Sequence, residues 1–204
     1  MNIVVRKMDE SITWDELADL LHDSFKERLA QGLRFTCSFL SAEEIKQKCK
    51  DGVVLVALDI DSGSQLVGTV AFKKLSKSKA EHFNLAIKPS FKHRGVATQL
   101  LNALLDLTIQ NGCDHIVSDT ADCASSSVLW HKKNGFYPVY LRSFSSTNYY
   151  SIVFRKQLHY HWFYSNAACC ALCFALSSNA YKLFRNINGS LTGFGRIVNF
   201  FRKE

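Results

Sequence analysis

The chain reads as an α/β domain with a mixed central sheet flanked by helices, followed by an extra α-helical C-terminal extension. Three observations lead there. Over residues 3–158, apolar residues switch between a period of two and a period of 3.6, in the order β-α-α-β-β-β-α-β-α-β-β. A basic loop, Lys92-His93-Arg94-Gly95, stands between a strand pattern and a long apolar helix pattern. Past residue 158 the character changes, and from Gln157 through Tyr181 there is no Asp, Glu, Lys or Arg. The expected division is a domain over 1–158 and a basic, hydrophobic extension over 159–204.

The elements follow in order. Ile3 to Met8 is a first strand. Thr13, with Glu16 three residues on, forms a capping box, and Trp14, Leu17, Ala18, Leu21, Phe25 and Leu29 make one helical face that Gly32 ends. Leu33 to Leu40 is a loop carrying Arg34, Phe35 and Phe39. Ser41 and Glu44 repeat the box before a short helix with Ile45 and Cys49 on one side. Asp51-Gly52 turns the chain into Val53–Ile60, an almost continuous apolar run suited to a strand covered on both faces. Asp61 to Ser64 turns into Gln65–Leu75, so the two strands form a hairpin. Ser76 to Lys79 turns again, and Ala80 to Lys88 is the next strand. The helix from Val96 stops at Asn111-Gly112. His115 to Thr120 is expected as a parallel strand and Ser125 to Asn134 as a helix closed by Gly135. Tyr137–Phe144 and Tyr149–Leu158 are the last two strands.

The chain has 204 residues, 47% of them hydrophobic, which suits one domain with a substantial core and residues to spare. Its net charge of +7 is unevenly placed. After Asp122 no acidic residue occurs until Glu204, while lysines and arginines continue from Lys132 to Lys203. The second half should attract an anion: a phosphorylated cofactor, an acidic acceptor or an anionic membrane face. No nucleic-acid-binding module is recognisable, so no nucleic acid partner is expected. Seven cysteines without a paired framework, and a start that reads as a strand rather than a signal peptide, favour a reducing cytoplasm.

The loop carries the chemistry. The start of a helix presents main-chain N–H groups that have no intrahelical partner, and the helix dipole adds positive potential there. Gly95 removes a side chain where a phosphate would meet one. Lys92, His93 and Arg94 add charge, so the stretch from Lys92 through Val96, Ala97 and Thr98 has the makings of a pyrophosphate cradle. It resembles the coenzyme-A loop of the GNAT superfamily of N-acetyltransferases, whose signature is Arg or Gln, two residues, Gly, one residue, then Gly or Ala. Lys92 stands at the first place, keeping the charge and losing the planar fork. A second stretch, Ser125-Ser126-Ser127-Val128-Leu129-Trp130-His131-Lys132-Lys133-Asn134-Gly135-Phe136, is similar to the family's late helix. There His131 falls where many members carry a tyrosine, and Ala124 where many carry an asparagine.

The resemblance implies the acyl-CoA N-acyltransferase fold and an acetyl-CoA-dependent N-acetyltransferase. An acetyl group would pass directly to a primary amine of a small molecule within a ternary complex. The pyrophosphate would lie on the amides of Lys92 to Thr98. The pantetheine arm would run along Leu85-Ala86-Ile87, with an N–H near Ile87 polarising the thioester carbonyl. Ser126 and Ser127 would replace the missing asparagine through their hydroxyls. Members often place a basic carboxylate on the strand before the loop. Glu81 and His82 are the candidates there, on opposite faces. His131 is the candidate acid near the sulfur, with Tyr137 and Tyr140 as fallback donors, and Cys123 is expected to be a buried, inert thiol. Arg34 and Arg142 are candidate holds for an acceptor carboxylate or phosphate.

No metal is expected, since Cys169, Cys170 and Cys173 lack a second ligand pair. In the extension, Phe194, Ile197, Val198 and Phe201 repeat at helical spacing among Arg196, Arg202 and Lys203. This basic amphipathic pattern suits an anionic membrane surface, a homodimer contact or docking on the domain itself. Two further readings stay open beside the enzyme: a non-catalytic acyl-CoA-binding module, and a membrane-peripheral acyltransferase anchored by its tail.

Overall fold

The computed structural model describes residues 1–158, so the expectations for the extension lie outside the described residues. The chain divides into two compact units, Met1–Ile116 and a second from Val117 on.

In the first unit, strands β1 (Ile3–Lys7), β2 (Val53–Asp59), β3 (Gln65–Lys74) and β4 (Lys79–Ile87) pair antiparallel in that order. Helix α1 (Trp14–Ala30) and helix α2 (Ala42–Cys49) both open with the expected capping boxes. Thr13 accepts from the Glu16 amide, Ser41 accepts from the Glu44 amide, and each glutamate reaches back to its cap residue. Those hydrogen bonds hold the Glu16 and Glu44 carboxyls below the ordinary range.

Leu17 and Leu21 of α1 and Ile45 and Cys49 of α2 share a core cluster with Val54, Val56, Ala71 and Ala86, so both helices cover one face of the sheet. Strand alternation sends Gly68 and Phe72 to the opposite face. Helix α3 (Val96–Gln110) lies there. A Cβ built on Gly68 would stand 3.1 Å from both Leu100 Cδ1 and Val96 Cγ1 of α3, and 3.0 Å from Ile87 Cδ1. Gly68 therefore sets how closely the start of α3 approaches the sheet. Leu100, Leu101, Leu104 and Leu107 are buried, each contributing about 1.5–3 kcal/mol relative to exposure.

The ladder has two irregularities that the alternation pattern does not show. In β3 one extra residue, Val67, falls between the pairs Gly68–Ala57 and Leu66–Leu58. In β4, Thr69 faces Ala86 while Ala71 faces Phe83, so Asn84 and Leu85 together oppose Val70. Asn84 takes a left-handed φ of 54°, which makes this a β-bulge.

In the second unit β5 (His115–Ala121), which begins at the end of the first, leads to helix α4 (Ser125–Lys133), then β6 (Tyr137–Ser143) and β7 (Tyr150–Gln157). The strand order is β5-β7-β6, and β6 pairs antiparallel with β7. Lys156 Nζ donates to the Asn134 carbonyl at 2.8 Å and so caps the C-terminal end of α4.

Among the described residues no helix is long and apolar enough to cross a membrane, and no group of His, Cys, Asp or Glu is arranged to hold a metal. Cys37 and Cys49 are buried, which pushes their thiols up to about 12 and about 11. Cys123, expected to be buried, is exposed: it lies in the short connection between β5 and α4.

Candidate active site

The basic loop is a main-chain device. Lys92, His93, Arg94 and Gly95 are all exposed between the end of β4 and the start of α3. His93 and Gly95 both have left-handed φ, 62° and 82°. Gly95 is the N-cap of α3 and supplies no capping side chain. Its carbonyl accepts from the amides of Thr98 and Gln99. Among the described residues, the N–H groups of Arg94, Gly95, Val96 and Ala97 have no hydrogen-bond partner. A Cβ at Gly95 would meet nothing within 4 Å, so the space beside this residue is open. The contrast with α1 and α2 is chemical. Those helices fill their own N-termini with a hydroxyl and a carboxylate, whereas α3 is left ready for an anion from outside. The Arg94 guanidinium lies 5.3 Å from the Phe91 ring centroid, and Lys92 Nζ lies 3.5 Å from a Glu27 carboxylate oxygen on α1.

Beside the loop, β4 presents its end. The Lys88 amide donates to the Val67 carbonyl at 2.8 Å, so alternation turns the main-chain groups of Ile87 to the side of β4 away from β3. The Ile87 carbonyl accepts from Ser24 of α1 at 3.1 Å. Leu85 is half-buried within the bulge and Ala86 is buried in the core cluster. Glu81 pairs across the ladder with Lys73 and is half-buried; His82 pairs with Phe72 and is 2% exposed. They stand on opposite faces as expected: Glu81 with Phe83 on the face of α1 and α2, His82 on the face covered by α3.

In the second unit, α4 is fastened to β5 by polar contacts. Thr120 donates to the Ser127 hydroxyl at 2.9 Å. His131 is 4% exposed, its ring stacked on Phe154 at 4.6 Å and edge-on to Trp130 and Phe136. Its Nδ1 lies 2.8 Å from the Ser127 carbonyl and its Nε2 3.1 Å from the Ser118 hydroxyl. A carbonyl only accepts, so Nδ1 carries the hydrogen and Nε2 accepts from Ser118. Burial lowers the imidazole pKa, against smaller opposing effects of the Ser127 bond and the Asp119 charge. The ring is thus neutral near pH 7, with its one N–H given to Ser127. Ser126 is exposed on the first turn of α4. Arg142 lies 3.4 Å from Asp119 and 4.1 Å from the Phe144 ring centroid, so its charge is already matched; Arg34 lies 5.2 Å from the Phe39 ring centroid.

The structure thus brings Glu81, His82, Leu85–Ile87 and Lys92–Thr98 together on β4, α3 and the loop joining them. It brings Ser126, Ser127 and His131 together on α4. The Asn84 bulge and the Ser118–His131 contact escape pattern reading. Asn in mid-strand, and Ser118 and Thr120 alternating along β5, are the traces they leave in the sequence. Away from these residues, a groove of about 630 Å³ lies beside the start of α1. Its charged members, Arg6 and Glu16, are committed to Asp9 and Ser11 and to Thr13.

A helix start with no side-chain cap, after a bulged strand and followed by a β-α-β-β run, agrees with the resemblance to the acyl-CoA acyltransferases. The acetyltransferase (GNAT) family profile matches residues 14–136, more than half of the chain, and the chain belongs to that family. The α/β fold with a mixed seven-stranded sheet, expected from the element order, is the family's fold. A GNAT family acetyltransferase from Elizabethkingia anophelis with acetyl-CoA bound is similar at 16% identity and a TM-score of 0.60, over 77% of this chain and 99% of that one. The PaiA N-acetyltransferase from Thermoplasma acidophilum, in complex with coenzyme A, is similar at 20% identity and a TM-score of 0.60, over 77% and 99%. An aminoglycoside 6'-acetyltransferase type Ii is similar at 20% identity and a TM-score of 0.61, over 78% and 99%. No curated protein sequence matches the chain.

Proposed function

We propose that this protein is an acetyl-CoA-dependent N-acetyltransferase that acetylates the primary amine of a small molecule. One observation carries the reading: α3 begins with a run of unpartnered amides at a left-handed glycine beside which a Cβ would meet open space, directly after the basic residues Lys92, His93 and Arg94. That donor set fits a diphosphate. When bound, acetyl-CoA supplies an activated acyl thioester. The amides of Arg94 to Ala97 hold the pyrophosphate, with Thr98 at the rim, while Lys92, His93 and Arg94 supply charge. Leu85, Ala86 and Ile87 would offer the main-chain stretch for the pantetheine arm, and the Ile87 N–H, turned away from β3, would be the donor available to an acyl oxygen. Within the second unit, Ser127 accepts from Thr120, which leaves its own O–H able to donate.

Of the two candidate bases, Glu81 has the access and His82 is covered. We assign Glu81 the removal of the amine proton; as the C–N bond forms the thioester C–S bond breaks, and coenzyme A would leave as a thiolate that takes its proton from solvent. His131 suits a positioning role better than that of an acid. Its N–H is spent on Ser127 and its lone pair receives Ser118, which fixes α4 on β5. The test is free-thiol release from acetyl-CoA by purified protein against a panel of amines, amino sugars and amino acids, with binding measured in parallel. Acceptor-dependent release is expected. Tight binding without release for any acceptor would favour an acyl-CoA-binding module instead.

A further inference from the structure

The cradle has one ion pair with a residue that no cofactor role explains. Lys92 reaches back to Glu27, 3.5 Å away, on the last turns of α1. The same stretch of α1 is fixed against the end of β4. Ser24, one turn before Glu27, donates to the Ile87 carbonyl at 3.1 Å, and Phe25 stacks on Phe35 at 5.2 Å. Glu27 is therefore a carboxylate beside a loop whose own titratable side chains, Lys92, His93 and Arg94, are all basic. Both members of the pair are exposed, Lys92 to 40% and Glu27 to 76%, so the pair adds little to folding and can exchange readily.

We propose that Glu27 is an intramolecular competitor for Lys92 that weakens the hold of the cradle on coenzyme A and so speeds its release. The inference rests on the proposed function, in which Lys92 belongs to the cradle. Without ligand, Lys92 is paired with Glu27. A diphosphate on the α3 amides offers Lys92 a better partner, and the freed carboxylate then repels the bound anion across a few ångströms of solvent. Both effects oppose retention of the nucleotide end after the acetyl group has left. Glu27 is a positioning residue: the larger part of its effect on the cofactor runs through Lys92, and direct repulsion is the smaller part.

Coenzyme A itself is the probe, in calorimetry and in stopped-flow dissociation with the full chain. An exposed competing ion pair is a weak effect, so Glu27→Gln should bind coenzyme A about two- to fivefold more tightly, equivalent to about 0.4–1 kcal/mol. The gain should lie mainly in a slower off-rate and should shrink as salt rises toward about 0.5 M. Glu27→Asp should stay near the wild type. Lys92→Gln should weaken binding, and adding Glu27→Gln to it should recover much less than Glu27→Gln gains alone, because the partner is gone. Unchanged or weaker binding by Glu27→Gln would overturn the proposal while leaving the cradle intact. An equal gain in the Lys92→Gln background would overturn competition through Lys92. Lys92→Gln with wild-type affinity would overturn the place of Lys92 in the cradle, and the inference with it.

Discussion

At the scale of single residues, Gly95 and His131 make opposite demands. Gly95 is left-handed and faces open space. Gly95→Glu should cost about 1–2 kcal/mol of backbone strain, leave the circular dichroism spectrum intact and abolish acetyl-CoA binding in calorimetry, because a carboxylate would occupy the anion's place. Unchanged affinity would remove the cradle assignment. His131 is buried and neutral, with its pKa lowered below the ordinary 6.5. As pH falls below 6.5 the unfolded chain takes up that proton before the folded one does. The stability that neutral His131 contributes is therefore whole above pH 6.5 and is lost progressively below it, toward the folded pKa, at up to about 1.4 kcal/mol per pH unit. His131→Phe should be less stable near neutrality, since Ser118 and Ser127 lose their partner, and should lack this component of the pH slope in thermal melts between pH 5 and 7.5. Equal slopes in the two proteins would mean that the imidazole is not held neutral. The glycine's place at the start of a helix was legible in the sequence because a basic loop and an apolar helical repeat frame it. The held tautomer of His131 was not, because it depends on Ser118 and Ser127 meeting the ring from a different strand and from the preceding turn.

At the scale of elements, local chemistry carried most of the information. Both capping boxes, the turns at Asp51-Gly52 and Asn111-Gly112, and the alternating strands appear within a residue or so of where they are expected. The two bulges do not, because a register shift of one residue is a property of a pair of strands and not of either alone. Gly68 is the same kind of case. In the sequence it is an unexplained glycine in a strand; in the fold it is the gap into which Val96 and Leu100 settle. Gly68→Ala should push three side-chain tips aside, lower stability by about 1–2 kcal/mol and weaken coenzyme-A binding by shifting the first turn of α3. Both effects are readable from one melting curve and one titration. A melting temperature equal to the wild type would show that α3 yields without strain.

At the scale of the whole molecule the charge layout is the relevant quantity. All acidic residues but Glu204 lie within the first 122 positions, and the net charge is +7. Association with an anionic cofactor should therefore slow as ionic strength rises, a dependence that stopped-flow mixing measures directly. We expect a protein ending at residue 158 to fold and to bind coenzyme A as the full chain does. We also expect the full chain, but not the shorter one, to co-sediment with anionic liposomes. Binding of both proteins or of neither would assign the extension a different task.

The loop from Lys92 to Ala97 binds, on this reading, mostly through atoms that every amino acid possesses. Evolution can then rewrite nearly all of its letters without losing the contact, provided the glycine keeps its turn. Homologues should drift apart quickly around so permissive a site; solved structures with about one residue in five in common with this chain share its fold. What descent preserves here is a direction in space more than a spelling.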